Sequence, residues 1–268
     1  MLLPSMAGVA AFHVIPMFYV LKRSVMDNSA RKFVGFENYK EVITNNSFRL
    51  AVQNTTRFLV ICVPILLGLS LLCAIFFYKD KNSLRKTVVL MPMAIPVASI
   101  VLIWKVLFSR YGLIDRLFNS YTGGMDYISS RWSFGVLVIT YIWRNVGYDI
   151  ILWIAAINSV NKSINEAAQI DGCGRLQRFV WITWPHILPY GSVILLLSLL
   201  NAFKAFREVY LTAGEYPNKN IYLLQHIFSN WLLDFKFTDL CAGAVLVIGV
   251  VGIISVLFQK LLERDIEK

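Results

Sequence analysis

The sequence predicts an all-α fold: a polytopic membrane bundle of six transmembrane helices, with one long loop between the fourth and fifth. Three observations predict it. Of 268 residues, 57% are hydrophobic and only 16% charged, where a water-soluble domain carries about a quarter charged residues. The mean hydropathy is +0.60, and the apolar residues collect in runs long enough to cross a bilayer core, which takes about 20 residues. The net charge of +10 sits largely on the segments between those runs, where it suits a membrane surface better than nucleic acid. A disordered chain is excluded, and a water-soluble enzyme disfavoured.

Taken in order, the spans fall at about 2–21, 55–78, 87–109, 133–157, 190–212 and 239–259. The first lacks a basic segment ahead of it and a small-residue cleavage site, and Lys22-Arg23 follows it, so it reads as a retained span rather than a leader peptide. The third carries Pro92 and Pro96, which suit a kinked or broken membrane helix. Lys79, Lys81, Arg85 and Lys86 crowd into eight positions between spans two and three. Their density favours a cytoplasmic N-terminus and C-terminus, because basic loops stay inside. The four cysteines, Cys62, Cys73, Cys173 and Cys241, show no metal spacing, and three lie in or beside apolar runs, so no disulfide framework is expected.

The long loop, about 158–189, predicts two short helices around a glycine turn. Ser163 and Glu166 have capping-box spacing, Ala167, Ala168 and Ile170 accept helix, and Gly172 and Gly174 interrupt it. Arg175 to Trp184 forms the second candidate helix, and Pro185 and Pro189 mark where span five begins.

Polar groups inside spans are functional suspects, because lipid makes them costly. Arg144, Asn145 and Asp149 lie on span four; Asn201, Lys204, Arg207 and Glu208 lie on span five. Asn201, Lys204 and Glu208 at i, i+3, i+7 would share a helical face. Asn145 and Asn201 are the middle residues of their spans, so both should face the bundle interior at the midplane. An amide donates and accepts, which suits a hydroxyl-bearing solute, and Trp143 and Tyr148 would add stacking surface. The alternatives are that the asparagines bond helix to helix and that the charges are intramembrane pairs or reach the interface. His13, His186 and His226 are scattered and make no metal or acid–base set, and no P-loop motif is present.

Glu166-Ala167-Ala168, Asp171-Gly172 and Ile187-Leu188-Pro189 resemble the EAA loop of permease subunits in ABC importers. Residues 33–39 (FVGFENY), Met91 to Pro96 with Trp104, and Trp143 to Tyr148 resemble the sugar-importing, maltose-permease F-like branch. The outer loop Ala213-Gly214-Glu215-Tyr216-Pro217 keeps one glycine and the proline of a longer glycine motif. The resemblance implies a single permease domain over 1–268 that is not itself an enzyme. It implies a second permease subunit, a cytoplasmic ATPase dimer holding ATP and Mg²⁺, and an extracytoplasmic solute-binding protein delivering a sugar or oligosaccharide. This chain would bind no cofactor, metal or nucleic acid. Glu166, Ala167, Ala168, Asp171, Gly172, Ile187, Leu188 and Pro189 would couple it to the ATPase, and Trp143, Asn145, Tyr148, Asn201, Lys204 and Glu208 would line the pathway. The competing reading is an ion-coupled secondary transporter, which would need internal repeats; none is evident.

Overall fold

The computed structural model describes residues 3–78, 83–122 and 124–266; Lys79, Lys81 and Lys268 lie outside the described residues. Its helices are α1 (Leu3–Val9), α2 (Ile15–Ser24), α3 (Glu37–Thr44), α4 (Asn46–Phe77), α5 (Ser83–Ala94), α6 (Val97–Phe108) and α7 (Leu113–Thr122). There follow α8 (Ser133–Asn158), α9 (Lys162–Ile170), α10 (Arg175–Arg178), α11 (Trp184–Ala202), α12 (Phe206–Ala213), α13 (Leu224–Leu233) and α14 (Phe237–Ile266). Among the described residues no strand forms, and one isolated bridge joins Met26 and Phe33. Six stretches of the described residues are long and apolar enough to cross a membrane: Pro4–Ser24, Asn46–Phe77, Val97–Leu117, Ser133–Asn158, Arg175–Ala213 and Phe237–Val256.

Prolines explain where these differ from the sequence reading. The expected third span, 87–109, is broken: α5 ends at Ala94 and Pro96, extended at ψ 140°, caps α6. The fifth begins well before residue 190. A π turn, Phe179–Thr183, joins α10 directly to α11, so the second short helix of the loop is the foot of span five. A proline ring clashes with the carbonyl four residues earlier. For Pro185 that residue is Trp181, inside the π turn, whose widened coil gives the ring room. The same device recurs in span one, where the π turn Ala10–Val14 holds Phe12, four residues before Pro16.

The chain packs as two compact units. The first comprises residues 1–55 and 222–261. In it Phe48 stacks on Trp231 at 5.9 Å, and Gly243 leaves room for that indole, since a Cβ there would stand 2.9 Å from it. Asn38 donates from Nδ2 to the carbonyls of Ser24 and Met26, both at 2.8 Å, after a turn in which Gly35 has φ +63°. In that loop the Ser29 hydroxyl and the Lys32 and Arg31 N–H groups donate to Asp27 and hold its carboxyl below its ordinary range. His226 is fully buried on α13. Its Nδ1 accepts from the Leu223 N–H at 3.0 Å, and burial pushes its pKa down to about 4.

The second unit, residues 56–221 and 262–268, is built on α8. Two glycines set its spacing. At Gly147 a Cβ would lie 2.6 Å from the Val89 carbonyl oxygen on α5, and at Gly191 a Cβ on α11 would lie 2.9 Å from the Trp153 ring. Small residues of this kind let membrane helices approach closely enough for dispersion to hold them, without help from water. Ile150, Trp153, Ala156, Ile157, Ile187 and Ile194 fill the contact.

Candidate transport site

The loop after α8 folds as helix, glycine turn, helix. The capping box expected from Ser163 and Glu166 does not form. Asn161, extended at ψ 125°, is the N-cap; its side chain accepts from the Ser163 N–H at 3.0 Å and from the Ser163 hydroxyl at 2.9 Å. The amide two positions earlier takes the cap, which makes Ser163 a first-turn residue and leaves Glu166 exposed. At the other end Cys173 N–H reaches the Ala168 carbonyl at 3.0 Å and Gly172 N–H the Gln169 carbonyl at 3.2 Å. These are the paired bonds of a Schellman stop, and Gly172 supplies its left-handed residue at φ +81°. Gln177 then accepts from the Gly174 N–H at 2.9 Å to start α10, and Arg178 donates to Gln169 at 3.1 Å, tying the two arms.

Of the expected coupling residues, Ala167, Asp171 and Leu188 are exposed with Glu166, Ala168 is buried and Pro189 half-buried. Ile187 is fully buried among Trp153, Ile157 and Ile194, so its part is to pack span five against α8; it offers nothing to an outside partner. Sequence reasoning missed the exposed apolar set around the turn: Ile170, Leu176 and Trp181 are 87, 76 and 78% exposed.

Within the spans, the structure ties three of the polar suspects to side chains on other helices. Arg144 Nη1 donates to Glu208 Oε1, an ion pair joining α8 to α12. Ser198 donates to Asp149 Oδ2 at 2.7 Å, joining α8 to α11. Between these ties span five changes helix type: a 3-10 turn, Phe203–Ala205, separates α11 from α12. The expected common face of Asn201, Lys204 and Glu208 runs through that turn, whose tighter coil advances each residue by about 120° rather than 100° and so rotates Glu208 by about 60° relative to Asn201. Lys204 lies in that turn, and its side chain lies outside the described part of the structure. Glu208 pairs with Arg144. The cavity beside it, reached also by Trp104 and Thr140, is about 40 Å³. That is close to one water's share of liquid volume, far below what a sugar ring needs. Asn145 is half-buried and donates to the Tyr141 carbonyl of its own helix at 2.9 Å, and Asn201 is half-buried. Trp143 packs edge-on against Trp104 at 5.3 Å and is 38% exposed, while Tyr148 is half-buried. Beyond α12, Gly214 stands at φ +79°, so the loop there keeps glycine where its backbone has positive φ. Among the described residues no group of His, Cys, Asp or Glu is placed to hold a metal ion.

Residues 67–268 match the family described as binding-protein-dependent transport system inner membrane component. The chain belongs to that family. The inner membrane component resembles the probable ABC transporter permease protein YurN of Bacillus subtilis strain 168, at 27% identity over 96% of this chain and 91% of that protein. It also resembles the sulfoquinovosyl glycerol transport system permease protein SmoG of Agrobacterium fabrum, at 28% identity over 81% and 71% of the two chains. Its fold matches a chain in the crystal structure of a bacterial ABC transporter involved in the import of the acidic polysaccharide alginate, with a TM-score of 0.85 at 21% identity, over 100% of this chain and 95% of that one. A second structure of the alginate transporter, in complex with an alginate pentasaccharide-bound periplasmic protein, matches at 0.83 and 22% identity over 100% and 94%. The multi-pass membrane protein read from the sequence is thus a transport component, and the ion-coupled alternative finds no support among these likenesses.

Proposed function

We propose that this chain is one permease subunit of an ABC importer and, with a second permease, forms the pathway for a sugar or oligosaccharide. An extracytoplasmic binding protein delivers the cargo, and a cytoplasmic ATPase dimer, which holds the ATP and Mg²⁺, drives transport. The observation that carries this reading is the family match over residues 67–268, a stretch that contains the whole capped turn of 161–178. The cargo of two similar transporters, a sulfoquinovosyl glycerol and an alginate, supports a saccharide.

In this reading Glu166, Ala167, Ala168, Asp171 and Gly172, with the exposed Ile170 and Leu176, form the face that docks on the ATPase, while Ile187, Leu188 and Pro189 transmit its movement into span five. Trp143, Asn145, Tyr148, Asn201, Lys204 and Glu208 belong to the pathway, with Glu208 held by Arg144 in the conformation described above. Both termini are cytoplasmic, which puts the 161–178 turn on the ATPase side.

The test is reconstitution of the complete complex in proteoliposomes. Uptake of a radiolabelled panel should require ATP on the ATPase side and persist when ionophores collapse every ion gradient. Panel members would be maltose, lactose, cellobiose, trehalose and digalacturonate. Uptake driven by an ion gradient without ATP would overturn the reading. For the docking face, Gly172→Pro is informative, since proline fixes φ near −65° where the structure has +81°. The variant should insert normally yet lose uptake or release the ATPase; normal uptake with normal ATPase retention would reject that assignment.

A further inference from the structure

A cavity of about 540 Å³ opens at the end of the second unit where α6 and α12 finish, within the roughly 300–1,000 Å³ of small-molecule sites. None of the expected pathway residues lines it. One wall is a face of α6, Leu102, Lys105 and Val106 at i, i+3 and i+4, continued by Ser109, the extended residue that ends the helix. The other walls are Asp126 with its neighbours in the loop ahead of α8, and Tyr216 and Asn218 in the loop after α12.

Those loops are fixed to each other. Asn218 donates from Nδ2 to the Ser129 carbonyl at 2.8 Å and accepts the Asn220 N–H at 3.0 Å. Asp126 Oδ1 accepts the Ile128 N–H at 3.0 Å, and the Tyr127 N–H donates to the Phe108 carbonyl at 3.2 Å, anchoring the loop to the end of α6. Gly214, at φ +79°, makes the turn that leads to Tyr216, whose side chain is 72% exposed. Ligand groups thus meet a largely formed site.

We propose that this cavity is a saccharide subsite at the mouth of the permease, taking a neutral sugar as it arrives. This rests on the importer reading, which places both loops outside. A sugar ring has an apolar C–H face and a rim of hydroxyls that donate and accept. The aliphatic face of α6 and the Tyr216 ring meet the first; the Lys105 ammonium, the Ser109 hydroxyl and the Asp126 carboxylate meet the second. One cation and one carboxylate cancel, so the site gives a uronate or a phosphate no net attraction.

The experiment uses the assembled complex in a background without the native cysteines, carrying Ser109→Cys, and an impermeant maleimide applied from outside. Without the binding protein, a neutral disaccharide from the panel at millimolar concentration should slow labelling, and digalacturonate should not. Tyr216→Ala should abolish that protection and lower uptake roughly 2- to 10-fold while the complex keeps its ATPase. Tyr216→Phe, which keeps the ring, should stay within about 2-fold of wild type and so separates a lost stacking face from a misfolded loop. Labelling indifferent to every sugar, absence of labelling, or protection by digalacturonate alone would overturn the subsite. If the wild-type complex shows no ATP-driven uptake of any sugar, the importer reading itself fails and the subsite with it; ATP-driven uptake with unprotected labelling rejects the subsite alone.

Discussion

Removing both members of the Arg144–Glu208 pair should cost no more than removing one. The two side chains are 20 and 11% exposed, so neither ion regains much hydration when its partner goes. Unit charges about 3 Å apart at an effective dielectric constant near 20 attract by about 5 kcal/mol. Breaking a pair this buried costs about 3–5 kcal/mol, most of it the stranded charge. With water reaching a fifth of the guanidinium, we expect about 3 kcal/mol for either Arg144→Met or Glu208→Leu. For a chain of this size that corresponds to a fall of roughly 6–12 °C in apparent melting temperature. The double variant leaves no ion unpaired and should fall no further than either single one, a coupling of about 3 kcal/mol. Heating the detergent-solubilised complex and following the monodisperse fraction measures all four corners of the cycle. If the double variant instead loses the sum of the two single losses, the groups do not interact and the pair seen between α8 and α12 is incidental.

Gly147→Val should separate α8 from α5, because its Cβ would stand 2.6 Å from a backbone oxygen that cannot rotate away. A loss of about 1–3 kcal/mol is expected, and unchanged thermal stability would refute the close approach. His226 should make the complex acid-sensitive. Its folded pKa is about 4 against an ordinary 6.5, so the unfolded chain binds the proton first, and stability present above pH 6.5 is lost as pH falls toward 4, by about 3 kcal/mol in all. His226→Asn should flatten the fall in melting temperature between pH 7 and 4.5; an unaltered slope would refute it. For orientation, a cysteine at position 83 should be shielded from an impermeant reagent in intact cells and one at position 122 should react. The reverse would place the 161–178 turn outside, beyond reach of an ATPase.

What the sequence made legible was whatever depends on neighbours along the chain. Span number followed from run length, the break at Pro96 from a ring without an N–H, and the left-handed turn at Gly172 from the absence of a Cβ. The misreadings came where two local signals competed. Ser163 and Glu166 had the right spacing for a cap, but Asn161 lay two residues earlier with an equally good acceptor. Pro185 read as the start of a span, yet the π turn immediately ahead of α11 absorbed it, and a loop helix became the foot of that span. The partners of the buried charges were out of reach altogether. Arg144 and Glu208 are 64 positions apart, and Ser198 finds Asp149 across 49. No periodicity within one span reveals a register between two. A partial signal was available in Gly147 and Gly191, because glycine in a membrane helix marks where another backbone or ring comes close. From Gly147 the contact of α8 with α5 follows, and from Gly191 its contact with α11. With α11 set against α8, Ser198, about two turns beyond Gly191, comes level with Asp149. The charges were suspected for their cost in lipid; their assignment to one another depends on how closely those glycines let the helices pack.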